Sequence, residues 1–252
     1  MKIDLSGKIV VVTGATGRLG EFISRTLGEC GADVVVQYLE NADKAGEICR
    51  DIEAMGARAL AIQADVTDLG SVVAMRDRIA AELGHADIIV NNAVIQYPWV
   101  TVLDQAPEDY ESQFRSCVLH NVYMAKAFVP AMIEKKAGRV IAINTECAMQ
   151  CWPNQSAYVS GKRGMDGVLR VLAREVGPHQ ITVNQVAPGY MLSAKNPSDP
   201  VGDAEYVKGI PLRHRGEAQE IAYTVAFLAS EYARFISGAY VPVCGGNVMP
   251  GI

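Results

Sequence analysis

The chain has 252 residues, 50% of them hydrophobic and 20% charged, with 23 Lys and Arg against 28 Asp and Glu for a net charge of −5. That apolar fraction supports a large core and excludes global disorder, while the lack of a basic excess argues against gripping a nucleic-acid backbone. The 23 glycines and 11 prolines follow no period, so collagen-like, coiled-coil and low-complexity readings fail.

Met1 to Lys8 carry charge where an export signal needs an apolar stretch, and no apolar run approaches the roughly 20 residues of a membrane span. The expectation is a cytoplasmic protein with no membrane attachment. Cys30, Cys49, Cys117, Cys147, Cys151 and Cys244 are then read as reduced thiols. Cys147 and Cys151 lack the companion Cys/His pair of a zinc site, so no metal is expected.

In chain order, Lys8–Val12 is a short β-branched run ending in a glycine-rich turn, and Leu19–Leu27 is amphipathic. Asp33–Val36 repeats the strand signal, Ala42–Met55 the helix signal, and Ala59–Gln63 the strand again. A helix near Leu69–Leu83 precedes a buried strand at Asp87–Asn91. Pro107 suits the first turn of a long helix running through Cys117 toward Lys135. Arg139–Asn144 is strand, Ser156–Val176 helix, Ile181–Val186 strand, Glu217–Ser230 helix and Tyr240–Val243 the last strand.

Short apolar strands separated by helices imply an α/β fold: one doubly wound, Rossmann-like domain over residues 1–252, with helices on both faces of a parallel sheet. No linker or internal repeat divides it. The irregular segment 190–211, rich in Pro, Ser, Asp and Gly, follows a strand whose carboxyl end would face the ligand, which makes it a candidate substrate lid.

Two motifs carry chemistry. Thr13-Gly14-Ala15-Thr16-Gly17-Arg18-Leu19-Gly20 joins the first strand to the first helix, where glycines let the backbone approach a pyrophosphate and the helix N-terminus offers N–H donors. Tyr158-Val159-Ser160-Gly161-Lys162 places a phenol and an ammonium on one helix face. A cation beside Tyr158 is expected to lower its pKa from about 10 and make it a general acid/base.

With Asp65-Val66, Asn91-Asn92-Ala93, Asn184…Pro188-Gly189, Ile210-Pro211-Leu212 and Val243-Cys244-Gly245-Gly246 in this order, the chain resembles the short-chain dehydrogenase/reductase family along nearly its whole length. The gap between Tyr158 and Lys162 resembles its carbonyl-reducing members rather than enoyl reductases, and Ile210–Glu220 is similar to 3-oxoacyl carrier-protein reductases.

The resemblance implies hydride transfer between a nicotinamide cofactor and a carbonyl or alcohol. Tyr158 would protonate the carbonyl oxygen, Lys162 would hold the nicotinamide ribose and depress the tyrosine pKa, and Thr145 would hydrogen-bond the substrate oxygen. Gly14, Thr16, Gly17, Arg18 and Leu19 would cradle the phosphates, with Tyr38 at the end of the second strand. Asp65 and Val66 would address the adenine, Asn92 and Ala93 the ribose, and Pro188, Gly189, Met191 and Ser193 the carboxamide. Trp99, Met149, Trp152, Tyr190 and Met191 would line an apolar substrate pocket.

Departures from the family pattern matter. Arg18 replaces a glycine, Val94 follows Asn-Asn-Ala where a glycine is usual, and Cys117 stands at the helix asparagine that supports a water relay to the lysine. Asn121, one turn later, would substitute as a catalytic residue if the helix is bulged; otherwise it caps or faces solvent. No acid stands at Tyr38 to favour NAD, and Arg18 is available to a 2′-phosphate, so the charge argument leans to NADP over NAD. The family likeness also implies a homotetramer. The rival class is a non-catalytic nucleotide-binding member of the fold, acting as a sensor or partner-binding protein; the pairing of Tyr158 with Lys162 argues against it.

Overall fold

The computed structural model describes residues 2–192 and 203–251. Its strands are β1 (Ile9–Val12), β2 (Asp33–Tyr38), β3 (Ala59–Gln63), β4 (Ile88–Asn91), β5 (Gly138–Ile143), β6 (Ile181–Pro188) and β7 (Tyr240–Val243). They form one seven-stranded sheet in the order β3-β2-β1-β4-β5-β6-β7, parallel at every pairing. The helices are α1 (Gly20–Glu29), α2 (Ala42–Ala54), α3 (Leu69–Glu82), α4 (Pro107–Gln113), α5 (His120–Lys135), α6 (Cys147–Gln150), α7 (Ser156–Val176), α8 (Asp203–Gly209) and α9 (Ala218–Ala229).

Strand alternation sorts the core into two layers. Val10, Val12, Val34, Val36 and Val90 pack under α1, α2 and α9. Val11, Val35 and Ile89 pack on the other face with residues of α3, α5 and α7. Burial on both faces is why the strands read as continuous apolar runs rather than alternating ones. Helix starts follow local chemistry: the Asn41 side chain accepts from Lys44 N–H at 3.1 Å and that of Asp68 from Ser71 N–H at 2.7 Å. Pro107 opens α4, and Glu217 with Glu220 forms a capping box on α9.

The helix expected to run unbroken from Pro107 to Lys135 is interrupted. A π-helical turn at Phe114–Leu119 joins α4 to α5, so the bulge that would re-aim Asn121 is present. α7 lies close against this region because Gly161 has no side chain: a Cβ there would stand 2.9 Å from the Gln113 carbonyl oxygen. Two short helices, α6 and α8, lack a sequence signal because neither is long enough to show a period. Of the segment 190–211, residues 193–202, including Ser193, lie outside the described residues; 203–209 form α8.

Candidate active site

Strand order reverses between β1 and β4, and such a switch point opens a crevice at the carboxyl ends of the strands. A cleft of about 730 Å³ lies there. Its floor is the glycine turn after β1. Gly14 has φ +59°, and a Cβ on it would sit 2.9 Å from Ala93 Cα, so the turn admits only glycine. Asn92 pins the turn from β4, donating its side-chain amide to the Thr13 and Gly14 carbonyls at 3.0 Å each. Thr13 Oγ1 accepts from the Asn92 and Ala93 N–H groups in return.

Unlike α2 and α3, α1 begins without a side-chain cap. Glu21 N–H donates to the Gly17 carbonyl at 3.2 Å, and the positive end of the α1 dipole favours an anion beside Gly14, Thr16, Gly17, Arg18 and Leu19 on the cleft wall. An uncapped helix end, a close-approach glycine turn and a cleft of this size fit a dinucleotide.

At the other end, Thr145, two residues past β5, lines the cleft together with Tyr158 from the start of α7. Tyr158 is located by both neighbours: its N–H, left free by the first helical turn, donates to Tyr97 Oη at 2.6 Å, and the Trp99 ring stacks on its ring at 5.9 Å. Thr145 is braced by Tyr240, whose hydroxyl donates to its carbonyl at 2.5 Å. Lys162, one turn on from Tyr158, is 3% exposed; its ammonium donates to the Ile143 carbonyl at 2.5 Å and lies 5.7 Å from the Tyr158 ring centroid.

Burial governs the titration here. It raises the Tyr158 phenol above its ordinary value, with smaller contributions from the Cys147 and Cys117 thiols, and the Thr145 hydrogen bond offsets only part. Burial likewise lowers Lys162. This corrects the expectation of a lysine-depressed tyrosine: the ammonium points to a backbone carbonyl and over the ring, not to the phenol oxygen, so desolvation prevails.

Gly14, Thr16, Gly17, Arg18, Leu19, Asp65, Val66, Asn92, Ala93, Thr145, Tyr158, Lys162, Pro188, Gly189 and Met191 all line the cleft. Asp65 also closes its own turn, accepting from Thr67 N–H at 2.8 Å and Thr67 Oγ1 at 2.7 Å. Tyr38 is a correction: it packs against the core layer beneath α1 and α2, and its neighbours Gln37, Leu39, Glu40 and Asn41 face the cleft instead. Asn121 is another. It neither faces solvent nor lines the cleft; its amide donates to the Cys117 carbonyl at 2.6 Å and its oxygen accepts from Asn91 at 2.7 Å. The π turn rotates it toward β4, where it braces the bulge.

Gln37 escaped the sequence reading. Its buried side chain accepts from Gly14 N–H and donates to the Ala64 carbonyl, each at 2.7 Å, tying the glycine turn to β3. The signal was a polar residue at the end of an otherwise apolar strand. Glu146 escaped as well: buried beside Thr145, its carboxylate accepts from Tyr206 Oη at 2.6 Å and Asn247 Nδ2 at 3.1 Å, and burial raises its pKa. Arg215 bridges α8 to the segment that follows β6, meeting Asp203 at 2.9 Å, the Tyr190 and Met191 carbonyls at 3.0 and 2.8 Å, and the Tyr190 ring at 3.8 Å.

A family model described as enoyl-(acyl carrier protein) reductase matches residues 14–247. The chain is 36% identical over 249 residues to 3-oxoacyl-(acyl-carrier-protein) reductase FabG of Pseudomonas aeruginosa, covering 98% of this chain and 100% of that protein. It is 34% identical to the FabG of Staphylococcus epidermidis over 96% of this chain and 99% of that protein. Among solved structures it is similar to a blue fluorescent protein from a metagenomic library in complex with NADPH (TM-score 0.91, 33% identity, 98% of this chain and 100% of that one). An NAD⁺-bound xylitol dehydrogenase matches with a TM-score of 0.90 and 27% identity over 98% of this chain and 100% of that one.

Proposed function

The chain belongs to the short-chain dehydrogenase/reductase family and is an NAD(P)-dependent oxidoreductase; from that premise we propose that it reduces a small to medium carbonyl compound, with Tyr158 as the proton donor. The observation that carries this reading is the Tyr158 phenol, kept in its acid form by burial and placed in the cleft with Thr145 and Lys162. A protonated phenol is an acid, and carbonyl reduction consumes a proton at oxygen.

Bound in the cleft, the nicotinamide supplies the hydride. Gly14, Thr16 and Gly17 with the uncapped start of α1 would take the pyrophosphate, Asp65 and Val66 the adenine, Asn92 and Ala93 the ribose, and Pro188, Gly189 and Met191 the carboxamide. Thr145 fixes the carbonyl oxygen beside Tyr158, which gives up its proton to it as charge develops there. Lys162 would hold the ribose hydroxyls, with its ammonium 5.7 Å from the Tyr158 ring centroid. Arg18, exposed at the cleft, and the lack of an acid at Tyr38 favour NADPH, with Glu40 as the opposing influence.

The family model's description names enoyl reduction, but the relatives are 3-oxoacyl reductases and Tyr158 and Lys162 stand i,i+4 as in carbonyl-reducing members. Tyr190, Met191 and Leu192 line the cleft and would meet the substrate there. We further propose a cytoplasmic homotetramer assembled on the outer faces of α4, the π turn, α5 and α7; Phe114 on the π turn and Val171 on α7 are 51% and 56% exposed.

The test is NADPH and NADH oxidation with acetoacetyl-CoA and ethyl acetoacetate, crotonyl-CoA as the enoyl probe, and xylitol with oxidised cofactor. Turnover of the oxo compounds is expected. Turnover of crotonyl-CoA alone would replace carbonyl reduction by enoyl reduction, and light scattering showing only monomer would remove the tetramer.

A further inference from the structure

Glu146 is a buried group that no step above uses. It follows Thr145 directly, is 3% exposed, and its carboxylate meets hydrogen-bond donors rather than a cation. Burying a carboxylate without a counter-ion is costly, whereas an apolar side chain would occupy the same place without that penalty. The cost points to what the carboxylate holds.

Its attachments fall on either side of Gly189. The Glu146 N–H donates to the Pro188 carbonyl at 2.9 Å. Its Oε1 accepts from Tyr206 Oη at 2.6 Å, and that same hydroxyl accepts from the Tyr190 N–H at 2.7 Å. A hydroxyl has one proton and two lone pairs, so it serves both partners at once. The Tyr206 ring also meets the Tyr190 ring edge-on, with centroids 5.4 Å apart. Gly189 admits this bridge, since a Cβ there would stand 2.9 Å from Tyr206 Oη. Asn247, from beyond β7, donates to Oε2 at 3.1 Å and fixes the plane of the carboxylate.

The sheet pairing of β5 with β6 ends at Ile143 and Val186. The Glu146 links carry the alignment of the two chains past that point, from Thr145 on one to Tyr190 on the other. Tyr190 and Met191 both line the cleft, and Arg215 holds their carbonyls. We propose that Glu146 is a positioning residue for the nicotinamide: acting through Tyr206, it sets the Tyr190–Met191 backbone against the cleft in fixed register with Thr145. The inference rests on the reading above that Met191 meets the carboxamide. Glutamine cannot replace the carboxylate, because its one acceptor oxygen serves one of the two donors and its amide faces the other.

The test is calorimetric titration of the whole chain with two ligands that differ only in the nicotinamide. One is whichever of NADPH and NADH binds the parent more tightly. The other is the matching fragment, 2′-phospho-ADP-ribose or ADP-ribose. Tyr206→Phe and Glu146→Gln should each weaken the dinucleotide about threefold to tenfold, the range of one lost hydrogen bond, and the fragment by less than about twofold. A merely structural role would weaken both ligands alike, because both need the folded glycine turn. Fragment binding also reports that each variant is folded, and Tyr206→Phe, which keeps the carboxylate, decides if Glu146→Gln is not. Equal losses on the two ligands, or a dinucleotide affinity within about twofold of the parent in the folded variants, overturns the inference. A parent that binds the fragment as tightly as the dinucleotide would instead overturn the carboxamide reading, and the positioning role with it.

Discussion

Tyr158 and Lys162 share one face of α7, yet the ammonium donates to the Ile143 carbonyl at 2.5 Å and lies 5.7 Å from the tyrosine ring centroid, not against its hydroxyl. With burial dominating, the phenol rests in its acid form. The acid form is the one present below the folded pKa, and that pKa is raised above the ordinary value of about 10. The rate of carbonyl reduction is therefore expected to stay flat across neutral pH with respect to Tyr158 and to fall only in strongly alkaline solution. A pH–kcat profile with a tyrosine-like step near neutrality would contradict this placement.

Tyr158→Phe removes the donor while keeping the ring that stacks on Trp99. Turnover should fall by at least about a hundredfold with cofactor affinity nearly unchanged. Steady-state kinetics alongside nicotinamide fluorescence titration separates the two effects, and undiminished turnover would dismiss Tyr158 as the acid.

Arg18→Ala should lower the preference for NADPH over NADH. A guanidinium on the 2′-phosphate contributes about 1.5–3 kcal/mol, or roughly 10 to 150-fold in the affinity ratio. Equal ratios in parent and variant would show that Arg18 points away from the phosphate and that Glu40, also on the cleft wall, deserves the next substitution.

Glu146→Gln addresses the buried carboxylate beside Thr145. Burial raises its pKa above 4.5, so the folded state favours the protonated form. Its stabilising contribution is complete below the unfolded value and declines as pH rises through the folded one. Thermal unfolding of the parent should accordingly lose ground to Glu146→Gln between mildly acidic and neutral pH. Parallel Tm curves would refute the assignment.

Arg215→Met breaks a buried ion pair with Asp203, whose side chains are 2% and 10% exposed. A loss of about 3–5 kcal/mol is expected in denaturant titrations. Because Arg215 also holds the Tyr190 and Met191 carbonyls, KM for the carbonyl substrate should rise as well. A change below about 1 kcal/mol would mean that the pair is not buried in solution.

Local periodicity and local chemistry explain what was legible in the residues alone. Strands buried on both faces show as runs such as Ile9–Val12, the turn at Gly14 needs a residue without Cβ, and i,i+4 spacing puts Tyr158 and Lys162 on one face whatever surrounds them. Packing settled the rest. The π turn at Phe114–Leu119 aims Asn121 at Asn91, and the two are 30 residues apart. Gln37 locks the glycine turn to β3, and Tyr38 turns to the core, because adjacent strand residues face opposite sides. Glu146 meets Tyr206 and Asn247 across 60 and 101 residues. The direction of the Tyr158 shift belongs to this second group: a nearby cation can be read from spacing, but desolvation sums over every atom that excludes water, and only the assembled fold brings those atoms together.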